Sequence, residues 1–64
     1  MPEYMVVYKV EDIPMAHVRV KFFSNKRDAQ IFRVNIIDQY DGYSELYERI
    51  INKNIESDYY ERVG

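Results

Sequence analysis

The chain has 64 residues, 47% hydrophobic and 16% aromatic, with a net charge of −2, one histidine and no cysteine. That length makes one domain, residues 1–64, and excludes a second core, while the apolar content excludes a disordered chain. Disulfides are impossible, and a zinc site lacks ligands because His17 stands alone, so no metal and no cofactor is expected.

A single core of this size rarely supplies more than about 3–5 kcal/mol, so support from a partner protein or a second copy of the chain is expected. No apolar run approaches the roughly 18 residues of a membrane helix. The opening "MPEYMVVYKVED" lacks the basic start of a signal peptide. A cytoplasmic protein without membrane contact is the resulting expectation. Charge is uneven along the chain. Residues 1–33 carry six Lys/Arg against four acids, net +2, and residues 34–64 carry three against seven, net −4. Such a dipole can steer a charged partner or align copies head to tail.

In chain order, "EYMVVYKV" (3–10) is β-branched and aromatic and reads as a strand. Turning Val6, Tyr8 and Val10 inward leaves Met5, Val7 and Lys9 outside. Pro14 belongs to the connection, since it cannot donate to a ladder. "AHVRVKFF" (16–23) alternates. Its aliphatics Ala16, Val18, Val20 and Phe22 are expected in the core, with His17, Arg19, Lys21 and Phe23 outside. The short link makes the two strands an antiparallel hairpin.

"SNKRDAQIFRVNIIDQYDG" (24–42) reads as a helix capped by Ser24 and stopped by Gly42. At 100° per residue Ala29, Phe32, Ile36, Ile37 and Tyr40 share its apolar stripe, with Ile31 and Val34 left off it. The same letters allow a third strand, since Phe32, Val34 and Ile36 alternate with Arg33 and Asn35. "SELYERIINKNI" (44–55) reads as a second helix with a Glu45–Arg49 i, i+4 pair. The tail "ESDYYERVG" fits a short helix or a strand. The expected fold is α+β, an N-terminal antiparallel β-hairpin followed by two helices (ββαα), with a three-stranded sheet plus one helix (βββα) as alternative.

Two surfaces stand out. One is the outer sheet face, where Met5, Val7 and Phe23 sit with Arg19 and Lys21, residue types enriched at protein interfaces. The other is the tyrosine-rich turn, Tyr40, Tyr43 and Tyr47 around Gly42 with Asp38, Asp41 and Glu45. Together they point to a non-enzymatic protein-binding module that acts sterically as an adaptor or inhibitor of another macromolecule. A homodimer suits the small core, and an inhibitor encoded by a virus or mobile element would have this size.

The alternative is an RNA- or DNA-binding module using Lys9, Arg19, Lys21, Phe23, Lys26 and Arg27, with rings stacking bases and cations holding phosphates. Against it stand the acidic pI near 5.2, the lack of a glycine-bearing RNA-binding motif, and seven acids in the second half. Enzyme chemistry has few parts available. His17 has no cysteine partner, Ser24, Ser44 and Ser57 lie in cap or tail contexts, and two glycines cannot build a phosphate loop. "DQYDGYSE" (38–45) lacks the order and length of a calcium loop.

Overall fold

A computed structural model describes residues 2–52 and 57–64. Its elements are β1 (Tyr4–Lys9), β2 (Arg19–Phe23), α1 (Lys26–Tyr40), β3 (Tyr43–Asn52) and β4 (Ser57–Arg62). The strands form one antiparallel sheet in the order β2-β1-β3-β4. Strands β2 and β3 both run against β1, so the helix joins two parallel strands with β1 between them, a split β-α-β unit. One helix on one sheet makes two layers. The 40 × 25 × 16 Å extents reflect that thinness and the ten-residue length of β3.

The fold is α+β, but ββαββ rather than ββαα. The expected second helix is corrected to β3, with residues 53–56 outside the described residues. "YSELYERII" is amphipathic at both periods. As a strand, Ser44, Leu46, Glu48 and Ile50 point one way and Tyr43, Glu45, Tyr47, Arg49 and Ile51 the other. An isolated twelve-residue helix is marginal in water. The strand instead satisfies its backbone against two neighbours, β1 and β4, and places Leu46 opposite Val6. The βββα alternative is also corrected, because residues 29–37 lie within α1.

The helix begins one residue later than expected. Asn25, not Ser24, is the cap: it has extended backbone, and its side-chain oxygen accepts the Asp28 N–H at 2.9 Å. Its amide donates to the Asp28 carboxylate at 3.0 Å, and that carboxylate suits the positive end of the helix. At the other end Asp41 takes the left-handed conformation (φ 53°), which Asp tolerates better than most residues. The Gly42 N–H then donates to the Ile36 carbonyl. Gly42 is required for closeness rather than for its φ: a Cβ there would strike the Lys9 carbonyl oxygen and the Ile36 side chain.

The core lies between α1 and one sheet face. Val6, Ala29, Ile36 and Leu46 are buried, and Tyr4, Tyr8, Phe23 and Phe32 pack around Val6, Ala29 and Leu46. Phe32 meets the edge of Tyr8 at 4.8 Å and tilts against Phe23 at 5.4 Å. Of the expected stripe, Ile37 and Tyr40 are exposed, as are Ile31 and Val34. The helix sits mainly over β1, β2 and β3.

Candidate functional site

The register fixes both faces. Tyr4, Val6 and Tyr8 stand opposite Phe23, Lys21 and Arg19 on one side and opposite Glu48, Leu46 and Ser44 on the other. All of these therefore face the helix. The opposite face carries Met5, Val7 and Lys9 from β1, Val20 and Phe22 from β2, and the odd residues of β3 from Tyr43 to Ile51. Strand β4 adds Asp58, Tyr60 and Arg62.

Strand β2 is therefore inverted relative to the expectation. Phe23 belongs to the core layer, while Phe22 and Val20 stand on the uncovered face, 50% and 49% exposed. Arg19 and Lys21 lie on the helix side. Edge position makes this tolerable. The Lys21 ammonium sits 4.9 Å from the Phe32 ring centroid and 5.6 Å from that of Phe23, while the residue stays exposed. A cation on the core side of an edge strand keeps its water, so its charge does not report which side is wet.

Of the residues expected to bind protein, Met5, Val7, Tyr43 and Tyr47 share the open face. Arg19, Lys21 and Phe23 are on the helix side, and Tyr40 lies at the helix end. Tyr40 lines a shallow cleft with Glu11, Asp12, Asp41 and Gly42. Among the described residues no three His, Cys, Asp or Glu side chains form a metal-binding group. The alternative cation set is dispersed too. The Lys9 ammonium reaches the Ile13 carbonyl at 3.4 Å, and Lys26 and Arg27 stand in the first turn of α1.

The carboxylates and guanidiniums of the open face are tied to one another, while Lys9 at the end of β1 reaches a backbone carbonyl. Glu45 accepts the Tyr43 hydroxyl, the Tyr47 hydroxyl at 2.9 Å and an Arg62 guanidinium contact at 3.2 Å. The two hydroxyl bonds hold its carboxyl below the usual range, assisted by Arg62. The same bonds push both tyrosine hydroxyls upward, because an ionised phenolate beside Glu45 would lose its donor and meet a like charge. Arg49 pairs with Glu3 at 2.8 Å and approaches Asp58 at 3.9 Å.

What remains for another molecule is mainly apolar: Met5, Val7, Val20, Phe22 and Ile51. Tyr60 lies among them, its hydroxyl donating to the Pro2 carbonyl at 2.7 Å. The rings of Phe22 on β2 and Tyr60 on β4 reach toward each other across β1 and β3, with centroids 6.1 Å apart. The sequence reading missed Val20, Phe22, Tyr60 and Ile51. Only the β2 register could have placed the first two here, and alternation alone left that register free.

No family model matches this chain, and no curated protein or solved structure matches it either. No helix among the described residues is long and apolar enough to cross a membrane.

Proposed function

We propose that the protein is a small non-enzymatic protein-binding module that acts sterically, through the open face of its sheet. The observation that supports this reading is the combination on that face of half-exposed Val20 and Phe22 with carboxylates and guanidiniums already paired within the chain. A target needs to bring no counter-charge for these paired groups, only an apolar surface, and aromatic anchors in such a setting dominate binding energy. The nucleic-acid reading has less support. Arg49 and Arg62 are held by carboxylates, and the exposed cations Arg19 and Lys21 lie on the other side of the sheet with the ring of Phe23 packed in the core.

Val7→Lys tests the reading. Strand β1 is internal, so this change alters the open face without touching a sheet edge. The tagged chain is expected to retain one defined protein from its native cell, and Val7→Lys to lose it while keeping the wild-type circular dichroism. A labelled single-stranded oligonucleotide is expected to show no binding even at low salt. Retention of the same protein by Val7→Lys, or salt-sensitive oligonucleotide binding, would overturn the reading.

A further inference from the structure

We infer that the open face is filled, in the free protein, by a second copy of this chain, joined head to tail through β2 of each copy and β4 of the other so that two sheets close into an eight-stranded barrel. This rests on the open-face reading and puts a second copy, in the free protein, on the surface a target would take.

The first support is hydrogen-bond phase. The Arg49 N–H donates to the Glu3 carbonyl, and the Leu46 N–H to the Gly64 carbonyl, both at 2.8 Å. Odd residues of β3 thus address β1, and even residues address β4. On β4 the partners of those even residues are Tyr59 and Glu61. The amides and carbonyls of Asp58, Tyr60 and Arg62 consequently point to the free edge. The same alternation turns Tyr4, Val6 and Tyr8 toward β2, leaving the Val20 and Phe22 backbone groups outward on the opposite edge.

Direction agrees. With β1 running up, β2 and β3 run down and β4 runs up, so β4 beside another copy's β2 is antiparallel with both helices on the same side of the sheet. Pairing Phe22 with the second copy's Tyr60, and Val20 with its Arg62, brings outward groups to outward groups. It also sets Lys21 directly opposite Glu61.

Charge then selects this pairing over its rivals. Strand β2 carries Arg19 and Lys21, whereas β4 carries Asp58 and Glu61 against Arg62. Glu61 stands opposite Glu48 within the chain, and neither carboxylate has an ion pair among the described residues. Directly opposed like charges destabilise a ladder. Joining β2 to β2 would crowd cations, and joining β4 to β4 in phase would leave Glu61 with no cation opposite it. Natural sheets block self-pairing by placing like charges or proline on their edges. Here the edges have opposite sign and no proline.

Twist favours closure: sheets coil with a fixed hand, and two four-stranded sheets joined at both edges make a barrel. The Phe22 and Tyr60 rings, 6.1 Å apart across the open face, lie inside it. Eight strands enclose a space that side chains fill. Glu45 enters that interior already bonded to Tyr47 and Arg62 of its own chain, and Lys9, the last residue of β1, stands at the barrel rim. The helix lies outside, leaving Ile31, Val34 and Ile37 in water.

Sedimentation velocity and light scattering on the whole chain across concentration test this, at ~50 mM and ~500 mM salt. The expected mass rises from one chain to two and stops there, with dissociation at least tenfold weaker at low salt. Both Lys21 and Glu61 are exposed, so charge reversal spares the core. Lys21→Glu and Glu61→Lys are each expected to stay monomeric. Mixed in equal amounts they are expected to form a heterodimer, because both junctions then pair opposite charges. A monomer at all concentrations, growth beyond two chains, or a dimer that survives Lys21→Glu would overturn the proposal. A monomer whose target capture is still lost in Val7→Lys would sink the self-pairing alone. Target capture unaffected by Val7→Lys would sink the open-face reading itself.

Discussion

Glu45 is the residue on which the open face is organised. Positions 43, 45 and 47 alternate to one side of β3, so a strand carrying Tyr, Glu and Tyr at that spacing lets both phenols donate to one carboxylate. A carboxylate that accepts two hydroxyls and an arginine is easier to keep ionised folded than unfolded. Its folded pKa is therefore depressed. Its stabilising contribution is full above the ordinary Glu range near about pH 4.3, and is lost as pH falls through the lower folded value. The raised tyrosines have the opposite sign: their contribution is full below about pH 10 and is lost as pH rises through the folded values. One substitution, Glu45→Gln, removes the cause of all three shifts. Melting temperature against pH is expected to lose its acidic and alkaline slopes together in Glu45→Gln, with the gap from wild type greatest near neutrality. Parallel curves at all pH values would show that the cluster carries no such coupling.

At the scale of elements, the helix was legible by its ends, a polar cap and a stop at Gly42, more than by its interior. Phe32, Val34 and Ile36 also satisfy the strand period, and of the stripe Ala29, Phe32, Ile36, Ile37 and Tyr40 the last two are exposed. The cap too needed coordinates, since Ser24 and Asn25 are both competent. Their roles are now separable. Asn25→Ala removes the acceptor of the Asp28 N–H and is expected to cost about 1 kcal/mol in urea unfolding, whereas Ser24→Ala is expected to cost less than half of that. The reverse order would return the cap to Ser24. Strand β1 was legible in both extent and sidedness, with Val6 buried and Met5, Val7 and Lys9 on the open face. Strand β3 was not, because "SELYERII" satisfies the helical and the strand period alike, and pairing with β1 and β4 decides the matter only in three dimensions. Strand β2 was legible as a strand and illegible in phase. "RVKFF" offers apolar side chains to both faces, and a lysine on the covered side escapes past the helix over two phenylalanine rings. The candidate site inherited that single-residue inversion: its β1 and β3 members lie on the open face, and its β2 members lie on the helix side with their neighbours in their place.

At the scale of the molecule, the limiting quantity is the core. A two-layer protein 16 Å thick has few positions hidden from both sides, and among the described residues only Val6 and Leu46 are large side chains fully buried. They are cross-strand neighbours on β1 and β3, directly beneath Ala29 of the helix, so one contact holds the two central strands and the helix together. Everything nearer the edges is shared with water. Val20, Phe22, Tyr59 and Val63 are each about half exposed, and burying half a side chain recovers only part of the ~1.5–3 kcal/mol available to it. Truncating Leu46 to alanine costs about 2–5 kcal/mol in a packed core. That is comparable to the ~3–5 kcal/mol a chain of this length holds in total. Leu46→Ala is therefore expected to be largely unfolded at 25 °C, lacking a sigmoidal thermal transition and near-ultraviolet tyrosine dichroism. Leu46→Met, which keeps the volume, is expected to retain both. If Leu46→Ala melted cooperatively within a few degrees of wild type, the stability would have to reside outside the Val6–Leu46–Ala29 contact. The open face and its occupant would then be the place to look for it.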